Sequence, residues 1–556
     1  MSHFVDWCQN SLINLFLIFT IYIIYYLREN SVNKSTIIKS LALIIPLLIS
    51  VYVSNEIFEK SKNVDRYVSI EHRVSTLNSE DASINVRLEY WKNAIKLAKT
   101  SPILGIGLGN YQVESIPYEK EISDEFVVSL HSHDDFLEIT AETGIINGLI
   151  YFSLFVYLFF VNVTRIIKSE DVNTRILALL ALLLLIVFGV DSLFNFPMYR
   201  PTMQIFFVLL MAFTVVNKKK KVGLETNSGI YTKINLALVI ILISIPATYA
   251  AHIIYKASKL EYLIAKDDIN NKNKGSMTGD EVVAEIAKFP NVLSSSEAFY
   301  EYAGIYYIRE NNFEKAFKCF YKASQINPYT GRINFYKYVI AGKKGNQDSA
   351  YVYIKQAFYL RPRHSKIFQN SLIAAAKKND TIEILKEQKI YSKYKKAPDA
   401  WSTPARVLLN TNFNRKNLGK LIDNGLKNFP KDSLLLKQKK DFLITNYIME
   451  GQENIAKSNL AEGLKAYEKA LKLDPENVYV MQNIGFYYLN LRQYKQAVPY
   501  LLNAIKKPGL YDGKTEYFIG LCYVNINDKE NACKYFKISK NKNYPQALQL
   551  PKDVCE

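Results

Sequence analysis

Apolar and polar positions divide this chain into two halves of different character. In the first half, apolar runs at 12–27, 37–53, 145–163, 176–190, 202–216 and 234–254 are about 16–21 residues long with few charges. Each is near the length at which a helix crosses a hydrocarbon core of roughly 30 Å. A polar stretch, 54–143, separates the second run from the third. Beyond 254 the pattern changes to short amphipathic helices. The expected fold class is all-α: a polytopic membrane domain of about six transmembrane helices, followed by an α-solenoid.

The boundaries follow from the same pattern. Residues 1–256 form the membrane domain, 257–292 the linker, 293–362 repeats, 363–440 degenerate helical repeats and 441–556 further repeats. The linker assignment rests on the acidic and Asn-rich stretch 266–280. Basic residues set the orientation. Arg28, Lys34 and Lys39 follow the first run, Arg165, Lys168 and Arg175 lie between the third and fourth, and Lys218–Lys221 with Lys233 separate the fifth and sixth. These are alternate loops, so all of them fit on the cytoplasmic side. Loop 54–143, the 191–201 turn and everything after 254 are then expected outside. The first run follows Asp6 with no basic residue and lacks a small-residue cleavage site, so it reads as a retained anchor.

Net charge and cysteines narrow the picture. The formal charge of +18 comes partly from membrane loops and otherwise from lysines scattered over helix faces, so no nucleic-acid partner is expected. Five cysteines in 556 residues are too few for a disulfide framework. Cys522 and Cys533 fall in one hairpin, where two buried thiols are preferred over a disulfide.

The second half carries a repeat. Tyr300, Ala303, Gly304 and Tyr307, then Ala316, Phe320, Ala323 and Pro328, match the tetratricopeptide pattern. It recurs from Gly451, Gly485 and Gly520, at spacings of 34 and 35 residues. Small residues let the paired helices approach, and aromatics fill the space beside them. Such a solenoid implies a protein or peptide partner on its concave face, with a spacer role as the other reading.

Candidate chemistry concentrates in the polar loop. Leu130-His131-Ser132-His133-Asp134-Asp135 runs into Glu142-Thr143-Gly144 at the mouth of the third apolar run. Imidazole is the side chain best placed to take a proton from a hydroxyl near neutral pH. Upstream, Ile84, Leu88, Trp91, Ile95 and Ala98 recur at helical spacing, so 85–99 is an amphipathic helix carrying Arg87. Gly105, Gly107 and Gly109 follow. No strand precedes them, which excludes a dinucleotide fold, and a tight turn with amides open to a ligand is expected.

Together these motifs resemble the O-antigen ligase superfamily of membrane glycosyltransferases. The carriers are Arg87-x3-Trp91, Pro102-x2-Gly105-Ile106-Gly107, His133-x10-Gly144 and Asp191-x3-Asn195-Phe196-Pro197, over roughly 60–215. Asp134 stands where the family has Asn, Ser or Gln, and Asn147 departs at the last motif position. The resemblance implies inverting transfer of a glycan from undecaprenyl diphosphate to an acceptor hydroxyl, on a lipid or protein, at the outer face of a bacterial inner membrane. Ligase, polymerase and protein O-oligosaccharyltransferase activities all fit it. No metal, nucleotide sugar or other cofactor is implied. His133 would be the base, and Arg87, Arg66, Arg73 and Arg200 would hold the diphosphate, with His131 and Asp191 also at the substrate. The family has about a dozen membrane helices, so the chain reads as its second half, with the remainder missing or supplied by a partner. A non-catalytic membrane-anchored scaffold is the alternative.

Overall fold

In the computed structural model the apolar runs at 12–27, 145–163, 176–190, 202–216 and 234–254 lie in helices, because a helix satisfies every backbone polar group within itself. The structure describes residues 2–30, single positions between 35 and 56, and residues 82–216, 230–270 and 276–550. Helices α1 (Ser2–Glu29), α2 (Ala82–Thr100), α3 (Asp135–Thr143), α4 (Ile145–Lys168), α5 (Val172–Phe194), α6 (Pro201–Val216) and α7 (Ile230–Asn270) precede the repeats. Among the described residues, three segments, Ile145–Lys168, Val172–Phe194 and Ala237–Asp267, are long and apolar enough to cross a membrane, and Pro201–Val216 is apolar but shorter. The 37–53 run lies outside the described residues except at single positions.

Two units are present, Met1–Ala374 and Ala375–Glu556. In the first, α4, α5 and α6 pack around Phe155, Leu158, Leu185, Phe188, Phe207 and Leu210, while Leu149, Ile150 and Phe160 point outward as a lipid-facing surface would. Of the basic residues that set the expected orientation, Arg28 and Arg175 lie together at one end of these helices. Arg28 donates to the Ile166 and Ile167 carbonyls at the end of α4, and Arg175 pairs with Glu29 at 2.5 Å. Cations suit the negative end of a helix dipole.

Helix α7 does not stop at the membrane. It continues to Asn270, and Ala257, Leu260 and Ile264 enter the core of the first repeats. Asp267 accepts from the Ser276 amide at 2.7 Å and from the Tyr306 hydroxyl at 2.7 Å. The stretch expected as a linker thus contains a helix end tied down by buried contacts. The repeats begin with α8 (Gly279–Glu285) and continue as hairpins α9 (Phe299–Arg309) with α10 (Phe313–Ile326), and α11 (Arg332–Lys343) with α12 (Gln347–Leu360). A Cβ on Gly304 would lie 2.4 Å from the Phe320 ring, so helix approach demands glycine there.

The second unit consists of helices of the same kind. Its hairpins include Leu460–Leu473 with the preceding Ser433–Ala456, Val478–Asn490 with Tyr494–Ile505, and Lys514–Asn525 with Lys529–Asn541. Cys522 is a buried free thiol, as preferred from the sequence, but Cys533 is disulfide-bonded. The expectation of two thiols holds for one of the pair. Composition alone could not reveal the crosslink at Cys533.

Candidate active site

The His131–His133 segment enters α3 through a sharp backbone turn. His133 has φ of 59°, in the left-handed region, and Asp134 then caps the helix, its Oδ1 accepting from the Leu137 amide at 2.9 Å. Asp caps a helix as well as Asn or Ser does. At the other end Gly144, with φ of 93°, turns the chain from α3 into α4. A Cβ there would sit 2.0 Å from the Ile103 carbonyl oxygen, so the His133–Gly144 spacing spans one helix between two special turns.

The glycine run packs against this elbow. Gly105 N donates to Ser101 O at 2.9 Å, Ile106 N to Ala141 O at 3.0 Å and Gly107 N to Glu142 O at 2.9 Å. These amides are used internally, so they do not form the ligand-facing turn expected from the sequence. Helix α2 covers α3 with a buried face of Arg87, Ala94, Leu97 and Ala98, leaving Leu88 and Ile95 about two-fifths exposed. The apolar positions read from the sequence therefore lie partly outside, as on a helix resting against a membrane surface. Arg87 is 7 % exposed, not a surface residue. Trp91 Nε1 donates to the His133 carbonyl at 3.3 Å, and the Tyr90 ring stacks on His133 at 5.9 Å.

The turn after α5 closes the site from the opposite side. The His131 ring lies 4.3 Å from both Phe196 and Tyr199, His133 is edge-on to Phe196 at 5.3 Å, and the Arg200 guanidinium covers Phe196 at 4.6 Å. The structure thus brings His131, His133 and Arg200 together around one ring. Asp191 is buried and accepts from Asn195 Nδ2 at 2.6 Å, so it fastens the end of α5. Arg66 and Arg73 lie outside the described residues.

An acidic stripe, not anticipated from the sequence, underlies the histidines. Asp135, Glu138 and Glu142 share a buried face of α3. Glu138 meets His131 Nδ1 at 2.9 Å and accepts from the Ser132 amide at 2.6 Å. Glu142 accepts from the Tyr111 amide at 2.9 Å and from Tyr199 Oη at 3.2 Å. Burial pushes the Asp135 carboxyl up to about 8, although the Met198 amide donates to it, and Asp134 up to about 6. Burial likewise raises Glu142. The signal available in the sequence was the spacing of three acids on one helical face. No group of three or more His, Cys, Asp or Glu with a metal-holding arrangement occurs among the described residues.

Residues 9–152 match the family described as O-Antigen ligase, and residues 444–477 and 466–498 match tetratricopeptide repeat families. The exopolysaccharide production protein ExoQ of Rhizobium meliloti (strain 1021) is 30 % identical over 96 residues, 16 % of this chain and 22 % of that protein. The match thus spans about a fifth of that relative's length. A tetratricopeptide repeat protein from Parabacteroides merdae aligns at 12 % identity and TM-score 0.26, covering 46 % of this chain and 96 % of that one. The pilus biogenesis factor PilW aligns at 11 % identity and TM-score 0.19, covering 45 % and 95 %. The chain is a membrane protein that joins an O-antigen ligase-type region to tetratricopeptide repeats.

Proposed function

We propose that this protein transfers a glycan from undecaprenyl diphosphate to an acceptor hydroxyl on the periplasmic face of a bacterial inner membrane. The observation that carries this reading is the convergence of His133 and Arg200, far apart in the chain, on Phe196 of the Asp191–Pro197 motif. The acceptor oxygen attacks the anomeric carbon as the bond to the diphosphate breaks. His133 takes the acceptor's proton, and undecaprenyl diphosphate leaves with the bonding pair. Arg200 and Arg87 offset the charge on the leaving group through planar, two-point hydrogen bonding. Arg66 and Arg73 are further candidates for that role. His131, held by Glu138, aligns the segment, and Asp191 fixes the turn that carries Phe196. The disulfide at Cys533 supports an oxidising compartment for the repeats, as the periplasm is.

The test is a strain whose own chromosomal copy carries His133→Ala. Loss of a positioned base costs about 10²–10⁴-fold, so glycan should accumulate on the lipid carrier while the protein stays in the membrane. Transfer at the wild-type rate would overturn the catalytic reading and leave the repeats as a membrane-anchored scaffold for polysaccharide assembly.

A further inference from the structure

The loop of residues 119–129 precedes the histidines and is fastened on two sides. Towards the site, the Glu119 carboxylate accepts from the Ser129 amide at 3.0 Å and from Ser123 Oγ at 2.7 Å, and Ser129 Oγ donates to the His131 carbonyl at 2.5 Å. Towards the repeats, Arg361 is 4 % exposed and donates from Nε to Glu125 O at 3.0 Å and from Nη2 to Val127 O at 2.5 Å. Arg363 pairs with Asp124 at 2.9 Å and donates to Glu121 O at 2.6 Å. His364 Nδ1 meets Glu125 Oε2 at 2.8 Å, and its ring stands 4.3 Å from that of Phe126.

One planar guanidinium here holds two backbone carbonyls, which fixes the course of the loop itself and not merely a side chain. A repeat domain acting only as a protein-binding arm has no use for an arginine buried beneath this loop. We propose that the first repeats are part of the transfer site. Arg361 is a positioning residue that holds 119–129 and, through Ser129 and the His131 carbonyl, sets the His131–His133 segment. This rests on the function proposed above.

The experiment uses full-length variants in the native strain. It reads the ratio of carrier-bound to transferred glycan and the amount of protein in the membrane, with His133→Ala run in parallel. Losing hydrogen bonds from a charged donor corresponds to roughly a 10–100-fold effect, so Arg361→Ala should lower transfer by about tenfold or more. Arg361→Lys should recover only part, because an ammonium cannot reproduce the fork. If Arg361→Ala is missing from the membrane, the partly exposed Arg363–Asp124 pair decides. Arg363→Glu and Asp124→Arg should each lower transfer several-fold at normal abundance, and the double variant should regain most of it. A disrupted fold would not give that recovery. Wild-type transfer in the abundant single variants, with His133→Ala inactive, overturns the positioning role alone. Wild-type transfer in His133→Ala overturns the function beneath it.

Discussion

His131 Nδ1 lies 2.9 Å from Glu138 Oε1, and the glutamate side chain is only 2 % exposed while the imidazole is 21 % exposed. The partly wet histidine is therefore held from below by a dry carboxylate. Its ring is clamped between that carboxylate and the Phe196–Tyr199 turn. Glu138→Gln keeps the shape but puts an amide in place of one of the two oxygens that meet His131 and the Ser132 amide. It should lower stability in detergent by about 1–2 kcal/mol. Transfer should fall, but less than in His133→Ala. Loss of transfer equal to that of His133→Ala would place Glu138 in the chemistry.

Asp135 gives a pH dependence of defined sign. Its folded-state value, about 8, lies above the usual carboxylate range, so between roughly pH 4 and 8 the native state keeps a proton that the unfolded chain has lost. Stability from this group is complete below that window and declines as pH rises through it, by at most about 1.4 kcal/mol per pH unit. Asp135→Asn can still accept from the Met198 amide. Thermal unfolding at pH 6 and pH 8 should show a smaller loss on raising pH in Asp135→Asn than in the wild type. Equal losses would refute the assignment.

Gly144 is required twice, by its φ of 93° and by the Ile103 carbonyl facing it. Gly144→Ala should destabilise the elbow by about 1–3 kcal/mol and separate the glycine run from α3. Chemical labelling of a cysteine placed at the half-buried Ile106 should increase in that background. Unchanged labelling and unchanged stability would show that the elbow tolerates a side chain.

Placement of the repeats outside the cytoplasm can be checked in two ways. A reporter active only outside, fused at the carboxyl end, should be active, and one fused at Lys220 should be silent. Mobility on non-reducing gels, or thiol counting after denaturation, should show Cys533 blocked and Cys522 reactive. The reverse reporter pattern would overturn both the topology and the proposed site.

The sequence revealed these elements unevenly. The repeats were legible because each glycine and the large side chain it faces, Phe320 for Gly304 and Leu501 for Gly485, are near neighbours in the chain. His133 and Gly144 were legible because one helix fixes their spacing. The acidic support was not, since a buried Glu138 looks like any solvated helix face until tertiary packing covers it. Nor could periodicity assign Leu88 and Ile95, because an apolar residue at a membrane surface can face either lipid or protein. The contacts of His131 with Phe196, and of Arg361 with Val127, join distant segments and leave no local trace.

Helix α7 runs unbroken from the membrane segment to Asp267 and is locked there to Ser276 and Tyr306. At ~1.5 Å of rise and ~100° of turn per residue, the length of α7 before Ala257, where it enters the core of the first repeats, sets both their height and their compass bearing. The segment behaves as a keyed shaft and not as a tether. Adding one alanine there would swing the repeats by about 100° while lifting them by only ~1.5 Å, whereas adding seven would restore the bearing to within about 20° at a greater height. Even a whole added turn, which keeps the bearing, would lift Arg361 and Arg363 by ~5 Å from the 119–129 loop they hold, so the shaft has one working length.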